Sequence, residues 1–196
     1  MASHWNRIAP LGALVLTLAC DGSGGGPQTA PLAAKEPRDI LAHLQYLSAK
    51  KDYQHLVLIA PAEPVVLFPS ARWFHIQAKQ LGIELTDEEM KNLKVDGFKD
   101  KLDSLPPAPA PGYDSAEARA AFYAGLYRLI KGFSPEEWSE MRVMEVRQNP
   151  ANLRIMDVSL GKGGTIMMKI ACVQKTDKAW GIANIEYKVG LKKPVK

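Results

Sequence analysis

The chain has 196 residues, of which 46% are hydrophobic and 23% are charged, a balance typical of one globular domain. Its formal net charge of +4 is unevenly placed, because residues 36–139 carry 12 basic and 15 acidic side chains, whereas residues 140–196 carry 11 and 5. The basic half suits anionic lipid or an acidic partner, but a solvated sheet face with a basic tail is the favoured interpretation. Aromatic residues are not interleaved with the basic ones, so we expect no nucleic-acid partner.

The first 19 residues have the pattern of an export signal. A weakly positive opening is followed by 11 uncharged residues, Ile8 to Leu18. This run is typical of a signal-peptide core and is too short for a spanning helix, which needs about 20 apolar residues. The segment Leu16-Thr17-Leu18-Ala19-Cys20 resembles the lipobox of bacterial lipoproteins, although leucine is commoner where Thr17 stands. The resemblance implies cleavage before Cys20 and lipid on its thiol.

Two alternatives remain open: cleavage by the ordinary signal peptidase, which leaves a soluble periplasmic protein, and an apolar core segment that ends in cysteine. The following Asp21-Gly22-Ser23-Gly24-Gly25-Gly26-Pro27 favours the lipoprotein, because such segments serve as flexible tethers. Asp21 resembles the inner-membrane retention signal of enterobacterial lipoproteins. We therefore expect a signal peptide (1–19), a lipidated Cys20 with a tether (20–36) and one domain (37–196) facing the periplasm, with the inner membrane preferred.

The first part of this domain has helical periodicity. We predict helices over 37–49 and 53–59, one that Ser70 caps, and one from Thr86 to about Leu102, with Glu89 completing a capping box. Residues 65–68 are either a strand or a buried loop. After a proline-rich connector at 106–112, the strongest helix runs over 116–131, ends near Gly132, and precedes a short turn after Ser134.

From residue 141 the period becomes alternating, and we predict strands over 141–147, 153–160, 165–175 and 179–189. Short loops between them, including the hairpin Gly161-Lys162-Gly163-Gly164, require antiparallel neighbours. The expected fold is α+β, with N-terminal helices (about 37–139) packed on a C-terminal, four-stranded antiparallel, curved sheet (about 140–190).

The order of these elements and the closing strand Trp180-Gly181-Ile182-Ala183-Asn184-Ile185-Glu186-Tyr187 weakly resemble the NTF2-like (cystatin-like) cone of small bacterial lipoproteins. In that family sheet and helices enclose a pocket, which is catalytic in some members and binds a ligand or is filled in others. Helical material between residues 69 and 111 departs from the minimal cone.

Few side chains suggest chemistry. His43, His55 and His75 lack metal-site spacing, so we expect surface or supporting histidines and no metal or cofactor. Cys172 alternates with Ile166, Met168 and Ile170, which predicts a buried, inert thiol. The glycines at 161–164 lack the ending of a phosphate loop, and a strand follows instead of a helix.

Glu136 with Glu137, and Asp157 with Glu186, are possible acid–base pairs. Strict alternation places Trp180, Ile182, Asn184 and Glu186 on one face of the last strand. If that face lined a cone, Asn184 and Glu186 would hold a ligand; the water-facing orientation is favoured.

We therefore assign no catalytic residue. The first hypothesis is a membrane-tethered, non-catalytic module that binds an envelope protein or a small apolar ligand through its sheet face or a pocket. The alternative is a small enzyme of the ketosteroid-isomerase-like kind, in which Asp157 or Glu186 is a buried carboxylate facing an apolar cavity.

Overall fold

A computed structural model describes residues 29–61, 64–98 and 115–188. The described helices precede the strands in the chain. The helices are α1 Ile40–Lys50, α2 Leu56–Ile59, α3 Pro64–Gln80, α4 Asp87–Asn92, α5 Ser115–Ile130 and α6 Pro135–Glu140. The strands are β1 Arg142–Gln148, β2 Ile155–Lys162, β3 Thr165–Gln174 and β4 Trp180–Tyr187. Short 3-10 turns occupy Pro37–Asp39, Tyr53–His55 and Asp96–Phe98.

Two of the capping signals in the sequence mark the starts of helices. The Thr86 side chain accepts the Glu89 N–H, and the Glu89 side chain accepts the Thr86 N–H, so the predicted capping box is confirmed. The same reciprocal pair joins Ser134 and Glu137 at the start of α6, where Pro135 occupies the first turn.

The segment at residues 65–68 is helical, so both of its sequence-based interpretations were wrong. Helix α3 begins at Pro64 and continues through Pro69, which places Ser70 inside the helix instead of at its cap. Pro69 removes one helical hydrogen bond. Leu67, Ala71 and Phe74 are fully buried along the same helix, and this packing offsets the local cost.

Helix α4 is shorter than predicted, because it ends at Asn92 instead of near Leu102. Lys94 adopts a left-handed conformation with φ of 58°, and the Val95 N–H bonds to the carbonyl of Met90. This C-terminal turn directs Val95 into the core, where it is fully buried. Residues 99–102 of the predicted helix and the connector at 106–112 lie outside the described residues.

The sheet has the order β1-β2-β3-β4, and every pair of neighbours is antiparallel. The β2–β3 hairpin turns at Gly163 and Gly164, both with positive φ. The predicted hairpin and the α+β class with a four-stranded antiparallel sheet are therefore confirmed.

The core lies between the helices and one face of the sheet, which we call the inner face. Apolar side chains of this face pack with α1, α3 and α5 and are at most 1% exposed: Val158, Leu160, Met168, Ile170, Cys172, Ile182, Ile185. They pack in one cluster with Leu44, Phe74 and Phe122. The face of the sheet that points away from this core is called the outer face.

None of the helices in the described ranges combines the length and the apolar character needed to cross a bilayer.

Candidate functional site on the outer face of the sheet

The outer face of the sheet carries a compact set of polar side chains on β2, β3 and β4. In one row Asp157 lies opposite Ala171, which lies opposite Asn184. In the next row Ser159 lies opposite Lys169, which lies opposite Glu186. The structure thus brings together Asp157, Asn184 and Glu186, the three residues that the sequence singled out, on one face.

A β-bulge sets the orientation of the last two. The register shifts so that Ala171 pairs with Asn184 while Cys172 pairs with Ile182. Ile182 and Ile185 are both buried in the core as a result, whereas Glu186 is exposed. Strict alternation was therefore wrong in grouping Ile182 with Asn184 and Glu186. The favoured water-facing orientation holds for the exposed Glu186, whereas Asn184 is half-buried and its side-chain oxygen is buried.

Asp157 anchors the outer face. Its carboxylate is 2% exposed, and the Asn149 side-chain amide lies 3.1 Å from each of its oxygens. The Asn149 side-chain carbonyl in turn accepts the N–H groups of Ala151 and Asn152, which ties the β1–β2 loop to the carboxylate. Lys169 Nζ lies 3.9 Å from Asp157 Oδ2. A negative charge is thereby held at a fixed place on the sheet.

Lys169 stands between two acidic groups, Asp157 on one side and Glu186 on the other. Its side chain is 37% exposed, and Ser159 beside it is buried. Because strands hold these groups at fixed spacings, the partly exposed Lys169 and the exposed Glu186 present a pair of opposite charges beside the buried Asp157, and Arg147 lies opposite Asp157 on the same face. Such a pattern can select a partner by complementary charge.

The inner face offers no comparable chemistry. Cys172 is fully buried, and burial, together with the charge of Asp157, raises the pKa of its thiol far above the ordinary value. The buried position predicted from sequence for this thiol is therefore confirmed, and the raised pKa accords with the inert character expected of it. Glu136 and Glu137 are exposed in the first turn of α6, where Glu137 bonds to the Ser134 N–H.

The three histidines are buried, so of the two expected roles the surface one was wrong and the supporting one remains. His43 on α1 and His55 before α2 are 0% and 5% exposed, and their Nδ1 and Nε2 atoms lie 2.8 Å apart. Burial lowers the pKa of His43 to about 4; the charge of His55 acts in the same sense, and that of Asp39 opposes it. His43 follows the apolar stripe of Ile40 and Leu44, which is a signal that sequence reasoning could have used.

His75 has a different environment. Its Nε2 lies 3.0 Å from the carbonyl oxygen of Ala121, and its Nδ1 lies 3.1 Å from Arg128 Nη1. Arg128 Nε also donates to the carbonyl of Ile83. These bonds link α3 with α5. Within the described ranges no group of three metal-ligating side chains comes together.

Sequence reasoning missed a groove of about 460 Å³ between the turn after α4 and the first half of α5. Its lining is mainly apolar, with Leu93, Ala120 and Tyr123. Lys94 and Arg119 add positive charge, and Glu117 adds one negative charge. Lys94, whose backbone conformation is left-handed, lies at the rim of the groove. No periodic pattern in the sequence predicts that conformation.

Cys20 and Asp21 lie outside the described residues. Comparisons with models of protein families, with curated proteins and with solved structures gave no match.

Proposed function

We propose that this protein is a lipid-anchored envelope module that docks a protein partner through the outer face of its sheet. The observation that carries the proposal is the fixed pair of opposite charges Lys169 and Glu186, beside the buried Asp157, on a sheet whose other face packs against the apolar core. The rigid strands lower the ordering cost of docking, and the charges supply selectivity.

The filled interior also bears on the competing hypothesis of a pocket enzyme. That chemistry needs a carboxylate facing an apolar cavity, but Asp157 and Glu186 both stand on the outer face. We propose that the domain is an open variant of the NTF2-like cone, in which α1, α3 and α5 occupy the place of the pocket.

The anchor rests on the sequence of the first 36 residues. Ala34 is fully buried and its carbonyl accepts the Trp180 N–H, so the predicted tether of residues 20–36 is too long at its C-terminal end. Lipid on Cys20, followed by a tether of at most about 13 residues, would hold the domain within roughly 18–22 Å of the bilayer. Metabolic labelling with a palmitate analogue should mark the wild-type chain and not Cys20→Ser, and globomycin should cause an uncut precursor to accumulate. Normal maturation under globomycin would refute the anchor. Membrane fractionation of Asp21→Ser would show whether Asp21 retains the protein in the inner membrane.

Docking is tested by placing a photocrosslinking amino acid at Ala171 or Asn184, in the row next to Lys169 and Glu186, in the full-length chain in cells, so that both charges are kept. The matched control is Lys79, an exposed residue on α3, away from the outer face. One adduct of defined mass from both outer-face positions, absent at Lys79 and lost when the reporter at Ala171 is combined with Lys169→Glu, is the expected result. No adduct from the outer face, or equal adducts from Lys79, would refute the docking proposal.

The groove supports a second candidate function, binding of a small amphipathic acid. Apolar side chains would contact its chain, and Lys94 and Arg119 its acidic head. Dodecanoate is a suitable probe, and Ala120→Trp, which fills the groove, should abolish chemical-shift changes at Tyr123. Changes that persist in Ala120→Trp would place binding elsewhere.

A further inference from the structure

The two edges of the sheet are treated differently. On β4, side chains of α3 complete the main-chain hydrogen bonding. Ser70 Oγ donates to the carbonyl of Ala183, Trp73 Nε1 donates to that of Ile185 at 3.2 Å, and Gln77 bonds to both Ile185 and Tyr187. This edge is unavailable to another strand.

The β1 edge has no such cover. In the parts of the chain that the structure describes, no group outside β2 bonds to the main chain of Val146 or Gln148. The Asn149 N–H donates to the carbonyl of Ile155 across the β1–β2 hairpin, so the main-chain groups of Asn149 and Arg147 point toward β2. Since direction alternates along an antiparallel strand, those of Val146 and Gln148 point outward.

The side chains beside Val146 are self-complementary. Glu145 and Arg147 are both exposed and flank Val146 on the outer face. A two-fold axis through Val146 places Glu145 of one copy opposite Arg147 of the other, and the reverse pair forms across the axis. An axis through Glu145 or Arg147 would instead place two side chains of like charge opposite each other. An axis between two residues would place a residue whose main-chain groups point outward opposite one whose groups point toward β2, so the two could not bond.

We infer that a second copy of this chain pairs with β1 in antiparallel register about Val146, which joins two four-stranded sheets into one of eight strands. The Val146 main-chain groups of the two copies bond to each other, and each Met144 lies opposite a Gln148. The bulge between Val143 and Glu145 limits pairing to this short segment, which confines the contact to one register. The inference is independent of the docking partner proposed above.

The experiment uses the full-length chain in detergent and measures protein mass by sedimentation equilibrium over a dilution series. Wild type should form dimers that dissociate on dilution. Glu145→Arg places two arginines opposite each other at both side-chain pairs, and Val146→Pro removes the N–H that points toward the second copy. Each variant should therefore sediment as a monomer. A mixture of Glu145→Arg with Arg147→Glu should recover dimers, because one copy then presents two positive and the other two negative charges.

Several controls keep the outcomes distinct. Two copies that share one micelle by chance would not respond to charge reversal. Recovery of dimers in the mixture therefore distinguishes paired strands from shared micelles. Thermal unfolding of every variant checks the fold, because Arg147 also lies opposite Asp157 in its own sheet. If Val146→Pro does not fold, the charge variants decide. A wild-type monomer at every concentration, or a dimer unchanged by Glu145→Arg, would overturn the inference. Crosslinks at Ala171 and Asn184 report separately on docking.

Discussion

The buried pair His43–His55 makes stability depend on pH in a predictable direction. Protonation of His43 is opposed in the folded chain, where its pKa is about 4, and is unopposed in the unfolded chain, where the ordinary value is 6.5. The unfolded state therefore binds more protons as the pH falls, and stability decreases. The effect is absent well above pH 6.5, grows as the pH falls below it, and levels off near pH 4.

The magnitude follows from the size of that pKa difference. Each pH unit in the window costs about 1.4 kcal/mol, so the loss from His43 is about 1.4 kcal/mol at pH 5.5 and about 3 kcal/mol at its limit. The pKa of His55 is also lowered, first by burial, while Asp52 opposes the shift. The charged groups acting on the pair are Asp39, Asp52 and Lys175.

The assay is urea unfolding of the full-length chain at several pH values between 7.5 and 5.5, with the free energy of unfolding taken from each curve. His43→Gln removes the titrating ring and should flatten the pH dependence, whatever it does to absolute stability. Ile59→Val is the control: it costs about 0.5–1.5 kcal/mol at a fully buried site and should leave the pH dependence unchanged. An equal slope in wild type and His43→Gln would refute the reasoning.

Two further predictions concern links between elements. Gln77→Ala removes one of the two side-chain donors to the Ile185 carbonyl, where Trp73 remains, and leaves the Tyr187 N–H without its side-chain acceptor. We therefore expect a loss of about 1–3 kcal/mol in urea unfolding, whereas exposed Gln80→Ala should cost less than about 0.5 kcal/mol. Burial raises the pKa of Glu89, but bonds from Lys131 and Thr86 outweigh it and lower the pKa, so Glu89→Gln should destabilise above pH 4.5. That difference should vanish as the pH falls through the lowered pKa; a constant difference would contradict it.

Patterns of near neighbours explain most of what was predictable. The capping boxes at Thr86 and Ser134, the helix of α5 and the hairpin at Gly163 depend on residues within a few positions of one another. Their hydrogen bonds and backbone preferences are therefore already present in the local sequence. The alternation of β2 and β3 likewise identified the buried Cys172.

Contacts between distant segments decided the rest. Helix α3 continues through Pro69 because its apolar side meets the core, and its polar side chains complete the edge of β4 more than 100 residues later. The bulge that separates Ile182 from Asn184 arises from the pairing of β3 with β4, which no periodicity in either strand reveals. The bulge determines which side chains of β4 lie on the outer face, and the contacts of α3 with β4 leave β1 as the open edge.

From the sequence alone one determines the succession of helices and antiparallel strands, because capping, turn conformation and hydrophobic period act over a few residues. The sequence also supports the prediction of an anchor at Cys20, which lies outside the described residues. Only the tertiary structure decided that Asp157, Lys169 and Glu186 meet on the outer face and that His43 contacts His55. Those meetings require strand register and helix packing, which are set by interactions between residues far apart in the chain.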